Sequence, residues 1–395
     1  MKAVILAAGE GKRLRPFTET MPKVMLPVAN KPILEYVLDA VKNSGIDDII
    51  LVVGYKKEVI MEYFKDYDGD INLTYVTQDK QLGTAHALLQ AKDHINDEFI
   101  VLSGDNIIDH QSINNLLTEQ TPYALLIKEH PHPSKYGVVL VEKNILKEII
   151  EKPKEERGNF ISTGIYKLPL SIFDDIETHA AQGIYGLSQV LQSLINRDDV
   201  IKTLQATMWQ DIVYPWNLLE VNQTMMQHLT KSQNGTIEKG VTLKGPVHIG
   251  KDTIISSGCY IVGPVIIGDG CEIGPNTCIF PSTAIGNNTV VHPFTEIRES
   301  VIMENVHLGA KSSISHSIIG RGTIIQPAFS ALVGETTVEI EDEFKKLSTI
   351  GAMIGEDCSI GSNVITNPGI QLGRNCSIGP LTHLTQSIPS ETTVM

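Results

Sequence analysis

The sequence predicts two domains of different architecture, a doubly wound α/β domain followed by a left-handed parallel β-helix of hexapeptide repeats. Strand-like and helix-like patterns alternate through residues 1–230, as in α/β folds with a largely parallel sheet. Segment 231–240 is polar and breaks that pattern. After it, an aliphatic residue recurs at every sixth position, which is the repeat of a parallel β-helix. We therefore divide the chain into domains 1–235 and 236–395.

The chain begins with a strand that runs into a glycine-rich turn. Residues 3–6 are apolar, which predicts a buried parallel strand. Residues 7–11 read Ala-Ala-Gly-Glu-Gly and lack bulky side chains, so their backbone N–H groups can approach an anion closely. Arg13 and Lys23 add positive charge. This turn suits the phosphates of a nucleoside triphosphate.

The next elements continue the alternation and place further polar residues at strand ends. The pattern predicts helices over 33–44, 57–66 and 84–94, and strands over 49–53, 72–77 and 99–102. In a doubly wound sheet, ligands bind at the carboxyl ends of the strands. Residues 78–84 and Asp105 follow such ends, so we expect them at the same edge as the glycine-rich turn.

The second domain is predicted from its period. Each aliphatic residue of the repeat is expected to point into a triangular prism, with three repeats to a coil. The repeating positions are Ile249, Ile255, Ile261, Ile267, Ile273, Ile279, Ile285, Val291 and Ile297, and the period returns at Ile354, Ile360, Leu372 and Ile378. The period fails between about 327 and 350, where the charged, strand-like segment 335–346 is expected to loop out of the prism.

Composition narrows the class of protein. The formal net charge is −14 and no run is rich in Lys and Arg, which argues against a nucleic-acid or membrane-surface partner. No stretch approaches the roughly eighteen apolar residues of a spanning helix, and the start lacks the pattern of a signal peptide. We therefore expect a cytoplasmic protein. The five cysteines form no Cys-x-x-Cys pair and are expected to be buried thiols.

The glycine-rich turn matches neither common phosphate motif. A Walker loop needs Gly-x4-Gly-Lys-Ser/Thr, and a dinucleotide fingerprint needs a glycine where Leu14 stands. The stretch 6–14 with the later Pro22-Lys23 instead resembles the signature of the sugar-1-phosphate nucleotidylyltransferases, whose nucleotide-binding domain is Rossmann-like. The resemblance implies catalytic roles for Arg13 and Lys23. It implies nucleotide contacts from Leu6, Ala7, Ala8, Gly9 and Gly11.

Two further motifs extend the resemblance. The segment beginning at Gln78 and including Gly83 and Thr84 looks like the uridine-reading segment of UDP-N-acetylglucosamine pyrophosphorylases, because an amide side chain and bare backbone can pair with a base edge. Asp105, in Gly-Asp-Asn, and Asp211, in Trp-Gln-Asp, match the metal-binding aspartates of the family. Two carboxylates that converge on a triphosphate need a hard cation between them, which predicts Mg²⁺ as cofactor.

A last group of motifs matches the sugar site of the family. Gly137 and Glu151 are implied to bind the sugar, and Lys152 to act as a catalytic residue on the sugar phosphate. Ser162 and Thr163 stand where the family usually has Asn-Thr. Because serine lacks the paired donor and acceptor of asparagine, the identity of the sugar is open.

The domain order resembles archaeal-type bifunctional enzymes that also acetylate glucosamine 1-phosphate with acetyl-CoA. In those enzymes a coil carries a histidine that acts as general base. The aligned positions here, residues 310–313, read Ala-Lys-Ser-Ser, so an oligomerising or regulatory β-helix is favoured over acetyl transfer. The resemblance implies a homo-oligomer, a trimer or a dimer of trimers.

The sequence thus predicts Mg²⁺-dependent transfer of a nucleotidyl group from UTP or dTTP to a sugar 1-phosphate. N-acetylglucosamine 1-phosphate is favoured as acceptor, and glucose 1-phosphate comes next. A non-catalytic regulatory homologue that binds nucleotide-sugars is the alternative from another class, but the phosphate and metal residues that such a protein would be expected to lose are all present.

Overall fold

The computed structural model describes residues 1–65, 67, 71–155, 157–341 and 343–395. The chain forms two compact units. The first comprises Met1–Glu10, Pro22–Met25 and Pro32–Asp211, and the second comprises Gly11–Met21, Leu26–Lys31 and Ile212–Met395. Both predicted architectures are confirmed, since the first unit is a Rossmann-like α/β fold and the second contains the coils of a parallel β-helix.

A nine-stranded sheet forms the centre of the first unit. Its strands in chain order are β1 Lys2–Ala7, β2 Asp48–Val53, β3 Asn72–Thr77, β4 Phe99–Ser103, β5 Tyr123–Glu129, β6 Gly137–Glu142, β7 Ile145–Glu151, β8 Phe160–Leu168 and β9 Ile201–Gln205. Their order across the sheet is β3-β2-β1-β4-β8-β5-β9-β7-β6. The strands β3, β2, β1 and β4 are mutually parallel, whereas β8 runs antiparallel to β4. The parallel half is the part that the strand–helix alternation predicted.

Among the described residues, six helices accompany the sheet, and a seventh lies in the second unit. They are α1 Ile33–Lys42, α2 Lys57–Tyr63, α3 Thr84–Leu89, α4 His110–Thr118, α5 Ile172–Ala180, α6 Leu187–Asn196 and α7 Asn217–Met226. The prediction of a helix over 84–94 is too long, because the polar stretch Lys92–His94 forms a 3₁₀ turn. The prediction over 57–66 ends late as well, and its last residue lies outside the described residues.

Apolar side chains from α3, α5 and α6 pack with the sheet into one buried cluster. Phe99 of β4 and Phe173 of α5 stack within it, with ring centroids 5.5 Å apart. Short elements complete both units. They are the strands Pro27–Val28, Lys31–Pro32, Asn106–Ile108 and Trp209–Asp211 and the 3₁₀ turns Lys12–Leu14, Lys23–Met25 and Pro133–Lys135. No helix among the described residues is long and apolar enough to cross a membrane.

The β-helix has three parallel sheets, one for each side of the prism. The first contains Ser232–Gln233, Val247–Ile249, Val265–Ile267, Thr283–Ile285, Val301–Ile302, Ile318–Ile319, Met353–Ile354 and Gln371–Leu372. The second contains Thr236–Ile237, Ile254–Ile255, Glu272–Ile273, Val290–Val291, His307–Leu308, Ile324–Ile325, Ser359–Ile360, Ser377–Ile378 and Thr393–Val394. The third contains Thr242–Lys244, Tyr260–Val262, Cys278–Ile279, Glu296–Arg298, Ser313–Ser315, Ser330–Ala331, Ile365–Thr366 and His383–Leu384.

Stacking in register explains the sixfold period. Ile249 pairs with Ile267, and Ile267 with Ile285, so each aliphatic residue lies above an equivalent one in the next coil. All the hexad residues of the nine-position run are buried in one apolar core. Four of the cysteines are buried, and Cys278 is partly buried, with all five thiols free. Burial raises the pKa of the Cys358 thiol to about 12, as befits an inert core residue.

A β-hairpin leaves the prism, as the failure of the period predicted. Its strands, Gly334–Ile340 and Glu343–Ile350, pair antiparallel with one another. The coil nevertheless continues past residue 327, where the period fails in the sequence, because Ser330 pairs with Ser313 and Ala331 with Thr366 in the third sheet. Phe329 and Ala331 occupy the core there in place of a regular aliphatic hexad.

Candidate active site

The carboxyl ends of the four parallel strands meet at one edge of the sheet in the first unit. Registers such as Ala7 with Val53 and Val53 with Thr77 align these ends. The Gly104 N–H donates to the Leu6 carbonyl at 2.9 Å, and the Tyr55 N–H donates to the Ala8 carbonyl at 3.1 Å. The predicted nucleotide contacts Leu6, Ala7, Ala8 and Gly9 therefore lie at this edge.

A short ribbon brings two distant aspartates together. Strand Asn106–Ile108 pairs antiparallel with Trp209–Asp211, and Asp211 lies opposite Asn106. Asp105 immediately precedes that strand, so the register alone places the two carboxylates side by side. This juxtaposition joins residues that are far apart in sequence.

Lys23 lies between the two carboxylates. Its Nζ is 2.7 Å from Asp105 Oδ2 and 2.9 Å from Asp211 Oδ1. The side chains of Lys23 and Asp211 are each 12% exposed, whereas that of Asp105 is 33% exposed. The Ser103 hydroxyl donates to Asp105 Oδ1 at 2.7 Å. Lys23, Asp105 and Asp211 thus form a compact charged triad.

The triad determines its own ionisation. Burial alone would lower the pKa of Lys23, but the charges and hydrogen bonds of Asp105 and Asp211 outweigh it and hold that pKa far above its usual range. Burial opposes ionisation of Asp105 as well, yet Lys23 and the Ser103 hydroxyl hold its pKa below the ordinary value. Lys23 and Asp105 are therefore both charged at neutral pH.

The donor set of the triad fits a magnesium ion. Mg²⁺ takes hard oxygen ligands and is commonly held by one or two carboxylates together with substrate phosphates. Asp105 and Asp211 supply two such carboxylates, already turned toward one cation. No cluster of three or more metal-ligating side chains occurs in the described ranges.

The predicted base-reading segment is folded on itself and against α6. The side-chain amide of Gln78 donates to the Gly83 carbonyl at 3.2 Å and lies 2.9 Å from His86 Nδ1. The Thr84 hydroxyl accepts from the Leu187 N–H at 2.9 Å. A Cβ at Gly83 would lie 2.4 Å from the Tyr185 carbonyl oxygen. The structure thus brings Gln78, Gly83 and Thr84 together.

Three of the predicted sugar residues are neighbours. A Cβ at Gly137 would lie 3.3 Å from Glu151 Oε2 and 3.8 Å from Ser162 Cβ. The Ser188 hydroxyl donates to Glu151 Oε2 at 3.3 Å, and the Ser162 hydroxyl lies 3.1 Å from the Tyr166 hydroxyl. Gly137, Glu151 and Ser162 therefore surround one small polar region.

Thr163 and Lys152, the other two residues of the predicted sugar side, differ in exposure. The Thr163 side chain is buried, and its hydroxyl donates to the Leu126 carbonyl at 2.7 Å. This hydroxyl is therefore used within the sheet. The Lys152 Nζ lies 4.0 Å from Glu151 Oε1, and its side chain is half exposed.

Gly11 and Arg13 belong to the second unit. Gly11 has φ +78°, a left-handed conformation that favours glycine, and its carbonyl accepts from the Leu14 N–H at 2.9 Å and the Thr18 hydroxyl at 3.0 Å. The Arg13 Nε donates to Glu341 Oε2 of the hairpin at 3.0 Å. Arg13 is thus held within the second unit by the segment that leaves the prism.

Sequence reasoning did not find several of these neighbours. Ser103 and Ser188 carry no motif, and their proximity to Asp105 and Glu151 depends on strand ends and on α6. Glu341 lies in a segment noted for its charge, but nothing in the sequence connects it to Arg13. The charged segment that interrupts the hexapeptide period was the one sequence feature that pointed to this region.

Comparisons with known proteins identify the families that this chain matches. Residues 2–228 match the family described as nucleotidyl transferase, residues 261–345 match the GMPPB C-terminal domain, and residues 351–386 match the bacterial transferase hexapeptide (six repeats). A Methanococcus maripaludis protein named bifunctional protein GlmU is 39% identical, with 96% of this chain and 93% of that protein covered.

Two further relatives cover different parts of the chain. A Sulfurisphaera tokodaii protein named bifunctional sugar-1-phosphate nucleotidylyltransferase/acetyltransferase is 36% identical, with 96% of each chain covered. A Bacillus anthracis crystal structure, of a proposed glucose-1-phosphate thymidylyltransferase in complex with sucrose, has a TM-score of 0.54 at 26% identity and covers 59% of this chain and 98% of its own.

Proposed function

The chain belongs to the nucleotidyl transferase family, with a hexapeptide-repeat domain as its second part, and on that premise we propose that it transfers a nucleotidyl group from UTP or dTTP to a sugar 1-phosphate. The products are the nucleotide-sugar and pyrophosphate. The convergence of Asp105 and Asp211 on Lys23, at the edge that holds the glycine-rich turn, is the observation that carries the proposal.

The reaction needs no nucleophile from the protein. A phosphate oxygen of the sugar 1-phosphate forms a bond to the α-phosphorus of the nucleotide, and the bond from that phosphorus to the departing pyrophosphate breaks. Because two polyanions must be brought together, catalysis consists mostly of positioning and charge stabilisation. Arg13 and Lys23 neutralise the pyrophosphate, and Lys152 neutralises the attacking phosphate.

Asp105 and Asp211 would hold the Mg²⁺, which when bound supplies positive charge to the triphosphate oxygens. The Ser103 hydroxyl orients Asp105 by donating to its second carboxylate oxygen. The glycines of the turn leave the backbone open to the phosphates, and Gly9 has no atom within 4 Å of where a Cβ would be. These residues prepare the charge environment before the substrates arrive.

The substrate assignment is the finer part of the proposal. The Gln78–Thr84 segment favours UTP, and Glu151, Gly137 and Ser162 favour a sugar with polar groups to bind, with N-acetylglucosamine 1-phosphate first and glucose 1-phosphate next. The likeness to a thymidylyltransferase structure keeps dTTP in the proposal. Serine at position 162 lacks the paired donor and acceptor of an asparagine amide. The identity of the sugar is therefore less well defined than that of the nucleotide.

A panel assay tests the proposal directly. Pyrophosphate release is measured with UTP, dTTP and GTP, each against several sugar 1-phosphates in the presence of Mg²⁺. We expect release with a uridine or thymidine nucleotide and a hexose 1-phosphate. If no pair releases pyrophosphate, the chain is a regulatory homologue rather than an enzyme.

Acetyl transfer is a second candidate function, which the name of one relative that spans nearly the whole chain favours. Release of free CoA from acetyl-CoA in the presence of glucosamine 1-phosphate measures it. No increase over the background without glucosamine 1-phosphate would leave the β-helix with a structural role. The proposal also includes assembly into a homo-oligomer through the β-helix, which light scattering after size-exclusion chromatography measures.

A further inference from the structure

The β-hairpin that leaves the prism contacts loop 11–21, which follows the glycine-rich turn and belongs to the same unit as the hairpin. Arg13 donates through Nε to Glu341 Oε2 at 3.0 Å, near the tip of the hairpin. In the described part of the chain, no hydrogen bond engages Nη1 or Nη2 of Arg13. The contact therefore uses one edge of the guanidinium and leaves its forked end available.

The hairpin tip is itself fixed by neighbouring contacts. Glu343 accepts from the Tyr214 hydroxyl at 3.1 Å and from the Lys345 Nζ at 2.5 Å. The Lys345 Nζ also lies 5.5 Å from the centroid of the Tyr214 ring, which stacks on Trp216 with centroids 4.8 Å apart. Hydrogen bonds from Lys345 and Tyr214 lower the pKa of Glu343, so this anchor stays ionised. The tip therefore has a defined position.

The far end of the loop is held by the coils of the β-helix. Glu19 accepts from the Arg374 Nε at 3.1 Å and from the Ser390 hydroxyl at 3.0 Å. The Thr20 hydroxyl donates to Glu356, which is almost completely buried. Both ends of segment 11–21 thus have polar partners from beyond residue 330, although the loop carries the nucleotide motif.

We propose that Glu341 is a positioning residue for nucleotide binding, which holds Arg13 by Nε so that the forked end of its guanidinium meets the triphosphate. The inference rests on the proposed function, because it assigns Arg13 a phosphate partner. An arginine presents two parallel N–H donors to a phosphate, and fixing the side chain beforehand removes rotamer entropy from the cost of binding.

The same contact could instead compete with the nucleotide, but its exposure argues against that. The side chains of Arg13 and Glu341 are 38% and 48% exposed, so the ion pair is largely solvated and contributes little energy. A triphosphate carries several charges, and it can meet the forked end of Arg13 while Nε keeps its bond to Glu341. Glu341 therefore orients Arg13 and leaves Nη1 and Nη2 available to the nucleotide.

Titration calorimetry of the full-length protein with UTP and with dTTP, each with Mg²⁺ and without sugar phosphate, tests the inference. We expect Glu341→Ala to weaken binding of the preferred nucleotide about three- to fivefold, and to raise its KM equally while kcat stays within about twofold. Glu341→Gln, which keeps an accepting oxygen, is expected to lose less. Glu339→Ala removes the same charge from an exposed position of the hairpin and serves as the matched control.

The background of Arg13→Met separates positioning from general electrostatics. If Glu341 acts through Arg13, Glu341→Ala has no further effect in that background. The inference is overturned if Glu341→Ala binds the nucleotide more tightly than the wild type or with unchanged affinity. It is also overturned if Glu341→Ala loses as much affinity in the Arg13→Met background as in the wild type. A wild-type protein that binds neither nucleotide and releases no pyrophosphate would overturn the proposed function together with it. Normal turnover with a silent Glu341→Ala would remove this inference alone.

Discussion

Lys23→Met removes the cation that lies between Asp105 and Asp211, and its effect on stability can be estimated from the structure. Breaking a buried ion pair by removing one partner costs about 3–5 kcal/mol. Because Asp105 is one-third exposed, solvent screens part of that cost, and we expect a loss of about 2 kcal/mol. This corresponds to a fall of about 5 °C in the melting temperature at pH 7.5 without divalent ions.

The pH and metal dependence of the loss identify its cause. In the wild type the pKa of Asp105 is lowered, so its stabilising effect is present above the unfolded-state pKa of about 3.9 and is lost as the pH falls further. In Lys23→Met the two carboxylates repel, which raises the pKa of one of them. The deficit in melting temperature is therefore expected to shrink between pH 7.5 and pH 4.5. Millimolar Mg²⁺ should raise the melting temperature of the variant more than that of the wild type.

Lys128→Met is the matched control, measured by the same thermal unfolding scans. The Lys128 Nζ donates to the carbonyls of Ala206 at 3.1 Å and Thr207 at 3.0 Å, and it has no carboxylate partner among the described residues. Its loss should lower stability equally at both pH values and without a response to Mg²⁺. If the Lys23→Met deficit is likewise the same at pH 7.5 and 4.5, or if Mg²⁺ raises both melting temperatures equally, the proposed repulsion is wrong.

Three further substitutions test other parts of the structure. Asp105→Asn should keep the fold, by circular dichroism, but lower pyrophosphate release on the order of 10²-fold, and wild-type turnover at saturating Mg²⁺ would refute the metal role. Gly83→Ala should cost about 2 kcal/mol in denaturant unfolding because its Cβ meets the Tyr185 carbonyl, whereas Gly9→Ala, in open space, should not. Burial raises the pKa of Glu356, so its contribution to wild-type stability should fall as the pH rises above about 4.3. Glu356→Gln should therefore gain stability relative to the wild type between pH 4.5 and 7. A stability difference that stays constant over this pH range would contradict the reasoning.

The parts of the fold that sequence could predict are those with a local or periodic signal. The hexads from Ile249 to Ile297 specify stacked coils because each residue has an equivalent partner eighteen residues away. The parallel strands are apolar runs that end in glycine or polar residues. By contrast, the place of Asp211 opposite Asn106 depends on strand register between distant segments, which no local pattern encodes. Resemblance pointed to this aspartate, while its ion pair with Lys23 came only from the structure.

Lys23 and Arg13, the two basic residues of the signature, use different shares of their N–H donors within the protein. Their substitutions are therefore expected to have different effects. The Lys23 ammonium has three N–H donors, and two of them donate to carboxylates. The Arg13 guanidinium has five N–H donors, and one of them donates to Glu341. Lys23 therefore contributes to the stability of its unit as well as to the reaction, and its loss should appear in both. Arg13 retains most of its hydrogen-bonding capacity for an incoming anion, so its loss should appear in nucleotide affinity with little change in melting temperature.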